Sequence, residues 1–184
     1  MQETYRKTVT LVLGGVRSGK SRYAVKLASQ ASRVIFLATA KPSDAEMRAK
    51  IARHQAERPS QWLTVEEPLA LGRVLKQHDS DNQLFLIDCL TLFAANLLEA
   101  EADNEEVLRA SVARFCAVLQ SISSSVVLVS NEVGSGVVPA YAVGRRFRDL
   151  AGEMNQSIAA LADSVLLMVA GLPIVLKGHL EATP

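Results

Sequence analysis

Five short runs of this chain, TVTLVLG, RVIFLATA, QLFLIDCL, SVVLVSNE and SVLLMVAG, are rich in Val, Leu and Ile and nearly continuous in apolar character. A strand with one face in water alternates apolar with polar residues; a strand buried on both faces does not, so these runs predict a sheet covered on each side. Helical periods lie between them. Leu108, Val112, Phe115, Leu119 and Ile122 keep the i, i+4, i+7 spacing, and Phe147, Leu150, Met154, Ile158 and Leu161 form a second stripe. Strands alternating with helices predict an α/β fold, a mostly parallel sheet with helices on both faces. A chain of 184 residues is expected to form a single domain over 1–184. The rhythm breaks at about residues 41–68, a polar stretch with Pro42, Pro59 and Pro68 that is expected to project from the sheet, with an inserted helix at about 44–57.

Charge and cysteine usage narrow the function. Twenty Lys and Arg against 19 Asp and Glu give a net charge of +1, without the basic excess of a nucleic-acid binder, so small ligands are the expected partners. Cys89 and Cys116 fall inside predicted regular elements with neither CxxC nor metal spacing, which suits a reducing compartment. No window approaches the ~18 consecutive apolar residues of a membrane span, and MQETYRKT lacks the apolar centre of a signal peptide. A cytoplasmic protein is expected.

Residues 13–21 read LGGVRSGKS. Gly14, Gly19, Lys20 and Ser21 satisfy G-x-x-x-x-G-K-[ST], with a predicted strand before and the helical pattern YAVKLASQA after. In such a loop, here with Gly15, Val16, Arg17 and Ser18 between, glycines let the backbone wrap phosphates so that N–H groups and the helix N-terminus face negative charge. Lys20 then reaches the outer phosphates and Ser21 ligates Mg²⁺, which predicts a nucleoside triphosphate as ligand. Asp88 ends the run QLFLID, placed either to hold the metal or to cap the following helix. Thr39, Asn131 and Glu132 end other strands on the same predicted edge, where open α/β sheets bind ligands.

In the insertion, Ser43 and Glu46 form a capping-box pattern, and the helix after it carries a stripe of Met47, Ile51 and His54. A histidine on such a stripe is either a satisfied core residue or, with Arg58 four residues on and on the same face, a nucleophile for phosphorus beside a guanidinium that binds phosphate oxygens. His78 and His179 read as exposed. On the later helix Arg145, Arg148 and Asn155 form a polar face, either ligand-directed or simply solvated.

The ordered set LGGVRSGKSRYA, ATA, KIARHQAERPSQW, VEEP, LIDCLT, VSNEVGSGVVP and GRRFRDLAGEMNQSIAALADSVLLMVAGLP resembles the bifunctional adenosylcobinamide kinase/adenosylcobinamide-phosphate guanylyltransferase family of cobalamin biosynthesis, from about Thr8 to Lys177. The resemblance implies a RecA-like P-loop fold, a homotrimer and two reactions. A triphosphate, ATP or GTP, phosphorylates the aminopropanol hydroxyl of the corrinoid; GTP then guanylylates a histidine, His54 by motif position, and GMP passes to the corrinoid phosphate. It also implies that the loop from Gly14 to Ser21 holds phosphates and that Ala38, Thr39, Ala40, Gln55, Ala56, Glu57, Arg58, Glu66 and Asp88 complete the GTP site, with Lys20 and Asp88 catalytic beside His54. Val25 stands where the family pattern has Glu, which is expected to affect surface or interface contacts rather than chemistry. The residues alone also admit a P-loop kinase of another small alcohol, or a nucleotide-dependent switch whose mobile partner site includes Gly134 and Gly136.

Overall fold

The structure, a computed structural model, describes residues 6–42, 44–56, 58–101 and 104–179, without the side chains of residues 46, 47, 50, 53, 54 and 56. Its elements run β1 (Val9–Gly14), α1 (Lys20–Ala28), β2 (Arg33–Ala38), α2 (Ala45–Ala56), β3 (Leu63–Glu66), α3 (Leu71–Gln77), β4 (Gln83–Asp88), α4 (Leu90–Ala100), α5 (Glu105–Ser121), β5 (Ser125–Asn131), α6 (Ala142–Leu161), β6 (Ser164–Val169) and β7 (Leu172–Lys177). They build one seven-stranded sheet in the order β3-β2-β4-β5-β1-β6-β7. Every pairing is parallel except the antiparallel β6–β7 hairpin.

The five apolar runs are the five inner strands, and their lack of alternation has the expected cause. On one face Val9, Leu11 and Leu13 of β1 pack with Leu71, Phe93, Phe115, Leu119, Met154 and Ile158 from α3 to α6; on the other, Val12 packs with Ala24 and Ala28 of α1, Phe36 and Trp62. The α5 stripe is buried throughout, with Ile122 as the C-cap. Asn104 opens that helix by accepting from the Val107 N–H at 3.1 Å, and Glu105 and Glu106 suit its positive end. In the α6 stripe Leu150, Met154 and Ile158 are buried, while Phe147 and Leu161 pack against them half-buried.

Five expectations are corrected. The insertion does not simply project, because Trp62 is buried in the core and Leu63–Glu66 returns to pair with β2. Val25 is half-buried against the α1 face of the core, so the missing charge concerns packing within the chain as well. His78 is half-buried as the C-cap of α3. Cys89 lies between β4 and α4 rather than inside an element. The polar face of α6 does not exist as one face: Arg145 donates to the Pro139 and Ala140 carbonyls, Arg148 pairs with Asp149, and Asn155 is buried. The capping-box pair, Ser43 and the Glu46 side chain, lies outside the described residues.

Parallel pairing has one consequence for function: the carboxyl ends of six strands share an edge. Gly14 stands beside Asn131, and Ala38 stands between Asp88 and Glu66.

Candidate active site

At Gly14 the chain must leave β1 and turn over that edge, and the crowding there explains the residue. A Cβ on Gly14 would run into Ser18 Oγ and lie 2.9 Å from the Met168 carbonyl of β6. Arg17 and Gly19 then take left-handed backbone conformations, with φ of 58° and 93°. Gly19 N-caps α1 without any side-chain cap, which leaves the first N–H groups of the helix to face a ligand. Lys20 folds back to donate to the Gly15 carbonyl at 3.0 Å, closing the loop around the space it encircles.

The loop is also held from the neighbouring strand of the sheet. Ala170 and Gly171, both with positive φ, form the tight turn between β6 and β7. The Gly171 N–H donates to the Ser18 carbonyl at 2.9 Å, and a Cβ on Gly19 would stand 3.2 Å from Gly171 Cα. No reading of the sequence pointed to this contact; the AG pair with its left-handed turn was the available signal.

Asp88 is the last residue of β4, and Cys89, not Asp88, occupies the N-cap of α4, so the capping alternative for Asp88 falls away. Thr39 follows β2, fully buried, and its hydroxyl is used twice by the neighbouring chain: Oγ1 accepts from the Cys89 N–H at 2.8 Å and donates to the Cys89 carbonyl at 2.7 Å. It staples two strand ends together instead of presenting its hydroxyl to a ligand. Asn96 extends the staple by donating to the Thr39 and Pro68 carbonyls at 2.8 and 3.1 Å. Asn131 donates through its backbone and side chain to Thr91 Oγ1 at 2.7 and 3.0 Å. Burial, reinforced by the Asp88 charge, pushes the Cys89 thiol up to about 11, so it is no nucleophile at neutral pH.

Arg58 is placed differently from its sequence reading. It lies beyond the end of α2, its N–H bonded to the Gln55 carbonyl at 3.2 Å, and not on the face of that helix. Its guanidinium centre sits 3.5 Å from the centroid of the Phe36 ring, a cation–π arrangement. Burial lowers its pKa, opposed by the charges of Asp88 and Glu66, and its Nη1 is buried with no partner among the described residues. A half-buried cation with a spare donor suits an anionic ligand. Gln55 Nε2 donates to Glu66 Oε1 at 3.4 Å, so Gln55, Arg58, Glu66 and Asp88 gather at the ends of β2, β3 and β4. Lys41, just past Ala40, is tied to Glu99 of α4 at 2.7 Å. His54 stands in the last turn of α2; its side chain, and all of Glu57, lie outside the described residues.

A Mg²⁺ ion bound with substrate phosphates needs only one or two protein oxygens. The Ser21 hydroxyl at the start of α1 and the Asp88 carboxylate are oxygen donors of the right kind; among the described residues no group of three or more His, Cys, Asp or Glu forms a separate cation site.

Sheet order and loop together define a P-loop nucleotide-binding protein. Solved structures agree on the fold: an ATPase from a type III secretion system of pathogenic bacteria superimposes with a TM-score of 0.59 at 10% identity, over 91% of this chain and 56% of that one. The type III secretion ATPase EscN from enteropathogenic E. coli gives 0.59 at 12% identity, over 88% and 42%. This chain therefore spans about half the length of those ATPases. The sequence matches the cobinamide kinase / cobinamide phosphate guanyltransferase family over residues 10–176, and the chain belongs to that family. It is similar to the bifunctional adenosylcobalamin biosynthesis protein CobP of Pseudomonas aeruginosa, 43% identical over 92% of this chain and 97% of the relative. It is also 38% identical to CobU of Escherichia coli K12, over 91% of this chain and 98% of the relative. The chain is an enzyme, a bifunctional kinase and guanylyltransferase.

Proposed function

We propose that one domain carries both reactions on a single sheet edge, with the labour divided between the phosphate loop and the insertion. In the first reaction Gly14 to Ser21 hold the phosphates of ATP or GTP and Lys20 neutralises the outer ones; Ser21 and Asp88 would hold Mg²⁺, which would supply positive charge to offset that developing on the transferred group. The aminopropanol hydroxyl of adenosylcobinamide takes the γ-phosphoryl group without a covalent enzyme intermediate. In the second, an imidazole nitrogen of His54 attacks the α-phosphorus of GTP. A phosphorus–nitrogen bond forms as the bond to the β-phosphate oxygen breaks, and pyrophosphate leaves. A phosphate oxygen of adenosylcobinamide phosphate then attacks the same phosphorus, the phosphorus–nitrogen bond breaks, and adenosylcobinamide-GDP is released from a regenerated His54.

The observation that carries this reading is Arg58. The chain leaves the edge at Ala38, forms α2 and comes back with Arg58 over Phe36 of β2, in the field of Asp88 and Glu66. His54 precedes it by four residues. In this reading Ala38, Thr39, Ala40, Gln55, Ala56, Glu57, Arg58 and Glu66 receive the rest of the nucleotide, with Thr39 contributing backbone and shape. Incubation with α-labelled and γ-labelled GTP tests it: α-label retained on denatured protein and γ-label transferred to cobinamide are both expected, and absence of the first refutes the covalent step.

The same reading includes a homotrimer in the cytoplasm. Two apolar patches support assembly: Leu172, Ile174, Val175 and Leu176 on the edge strand β7, and Val137, Val138, Tyr141 and Val143 ahead of and at the start of α6, with Val137 96% and Tyr141 79% exposed. An unpaired apolar edge strand is an aggregation hazard unless it is covered, and two different patches suit a ring of head-to-tail contacts. Light scattering at micromolar concentration is expected to give a trimer mass; a monomer mass would refute it. No described helix is long and apolar enough to cross a membrane.

A further inference from the structure

A cleft of about 550 Å³ opens beside the phosphate loop on the opposite face of the sheet from α1, between Glu132 and Gly134 after β5 and the residues Arg148, Gly152, Asn155 and Ala159 along α6. Leu13 lines it, one residue before the loop begins. Its rim is joined to the loop itself, because the Glu132 N–H donates to the Gly14 carbonyl at 3.1 Å. None of the residues assigned above to the nucleotide lines this cleft.

Its chemistry selects a class of ligand. Three carboxylates, Glu132, Asp149 and Glu153, line it against one guanidinium, Arg148. Arg148 pairs with Asp149 at 3.0 Å, Arg109 pairs with Glu153 at 3.5 Å from the side of α5, and Glu132 accepts from the Gly134 N–H at 2.9 Å. A phosphate would meet an excess of negative charge here, so the cleft is not a second nucleotide site. Asn155 makes the positive case. It is only 6% exposed; its Nδ2 donates to the Asn131 carbonyl at 3.2 Å, while its Oδ1 has no partner among the described residues. A buried acceptor without a donor is costly, and a neutral group bearing N–H or O–H would satisfy it. Gly152 adds room: a Cβ placed there would meet nothing within 4 Å, although mid-helix glycine is unfavourable in itself.

We propose that this cleft is the acceptor site, which takes a carboxamide-bearing edge of the corrinoid, with Asn155 Oδ1 accepting an amide N–H. The inference rests on the proposed function. From here the aminopropanol arm has only to cross the edge marked by Gly14 and Glu132 to bring its hydroxyl to the phosphate loop. Acceptor and nucleotide thus approach the loop from opposite faces of the sheet, and each has its own binding chemistry.

Gly152→Leu fills the cleft without disturbing a packed contact. Equilibrium dialysis with cobinamide, followed by its own visible absorbance, is expected to show at least tenfold weaker binding, with KM for cobinamide rising in step and Gly152→Ala falling between. The Kd for GTP should not change and the melting temperature should not fall. Unchanged cobinamide affinity in a folded Gly152→Leu chain would overturn the proposal, as would loss of subunit assembly in that variant, which would mark the cleft as a contact between copies. The two readings fail separately: a wild-type chain that cannot phosphorylate cobinamide refutes the function and the acceptor site with it, whereas an active wild type with an indifferent variant refutes the site alone.

Discussion

The phosphate loop and the insertion serve the same edge of the sheet and are built in opposite ways. The loop is fixed by backbone: Gly14 is wedged against β6, Ser18 is held by Gly171, and Lys20 is folded onto Gly15. The insertion is fixed mainly at its ends, by Lys41 on Glu99 and by Trp62 with β3, while the described side chains of α2 are exposed apart from a half-buried Ile51. Neutralising phosphate charge requires donors that do not move, because reorganisation during reaction would forfeit the gain. A nucleophile that must first bond to phosphorus and then surrender it benefits from standing off the core. Under the proposed function, one edge supports two phosphorus chemistries by giving one to a rigid loop and the other to a helix that stands off it.

The sharpest way to break that contrast is His54→Ala. Covalent labelling by α-labelled GTP should vanish, kinase turnover should stay within about twofold, and stability should change by no more than about 0.5 kcal/mol, as for a surface position. If kinase activity and melting temperature collapse together, His54 is a core residue and the insertion is no outlying arm. Lys20→Ala comes next: it removes a charge that both reactions use in the proposed scheme, so both rates should fall by roughly 10²–10³-fold, the scale of losing one preorganised transition-state donor. Loss of only one activity would show that the two reactions do not share the cradle.

Arg58→Lys retains a cation but forfeits the planar fork and its stacking on Phe36, so guanylyl transfer should drop by about tenfold with phosphorylation less affected. Equal loss in both would erase the proposed division. Gly171→Val forces a β-branched residue into a left-handed turn, at about 1–3 kcal/mol. Its melting temperature should fall, and its GTP affinity should weaken several-fold through Ser18. The smallest effect concerns Cys89. Because its thiol titrates near 11 instead of 9, the folded protein holds a proton that the unfolded chain has released. Stability is thus lost as pH rises from 9 towards 11, and at pH 8 alkylating reagents should reach Cys116 first.

The inner strands and the phosphate loop were legible because each left a local pattern: unbroken apolar runs, and glycines at fixed spacing before Lys20. The two edge strands were not. Leu63–Glu66 has four residues, three of them exposed, and Leu172–Lys177 exposes nearly all of its side chains, so neither carries the apolar run of an inner strand. Arg58 was expected on the helix because the i+4 rule assumes that the helix continues, and here it stops at Ala56. The hydrogen bonds of Thr39 and Asn155 were not legible for a related reason. Their partners, Cys89 and Asn131, lie far away along the chain, beyond the reach of any local pattern.

The hairpin behind the phosphate loop bears on how the protein is made. Ser18 emerges from the ribosome early, yet the N–H that holds its carbonyl belongs to Gly171, far along the chain, and β1 has β5 and β6 for neighbours. Contacts so distant along the chain form late. The nascent polypeptide therefore has no finished grip on a nucleotide until Gly171 has been made, so a product interrupted before that point is a chain with the signature loop and without the backbone bond that braces it.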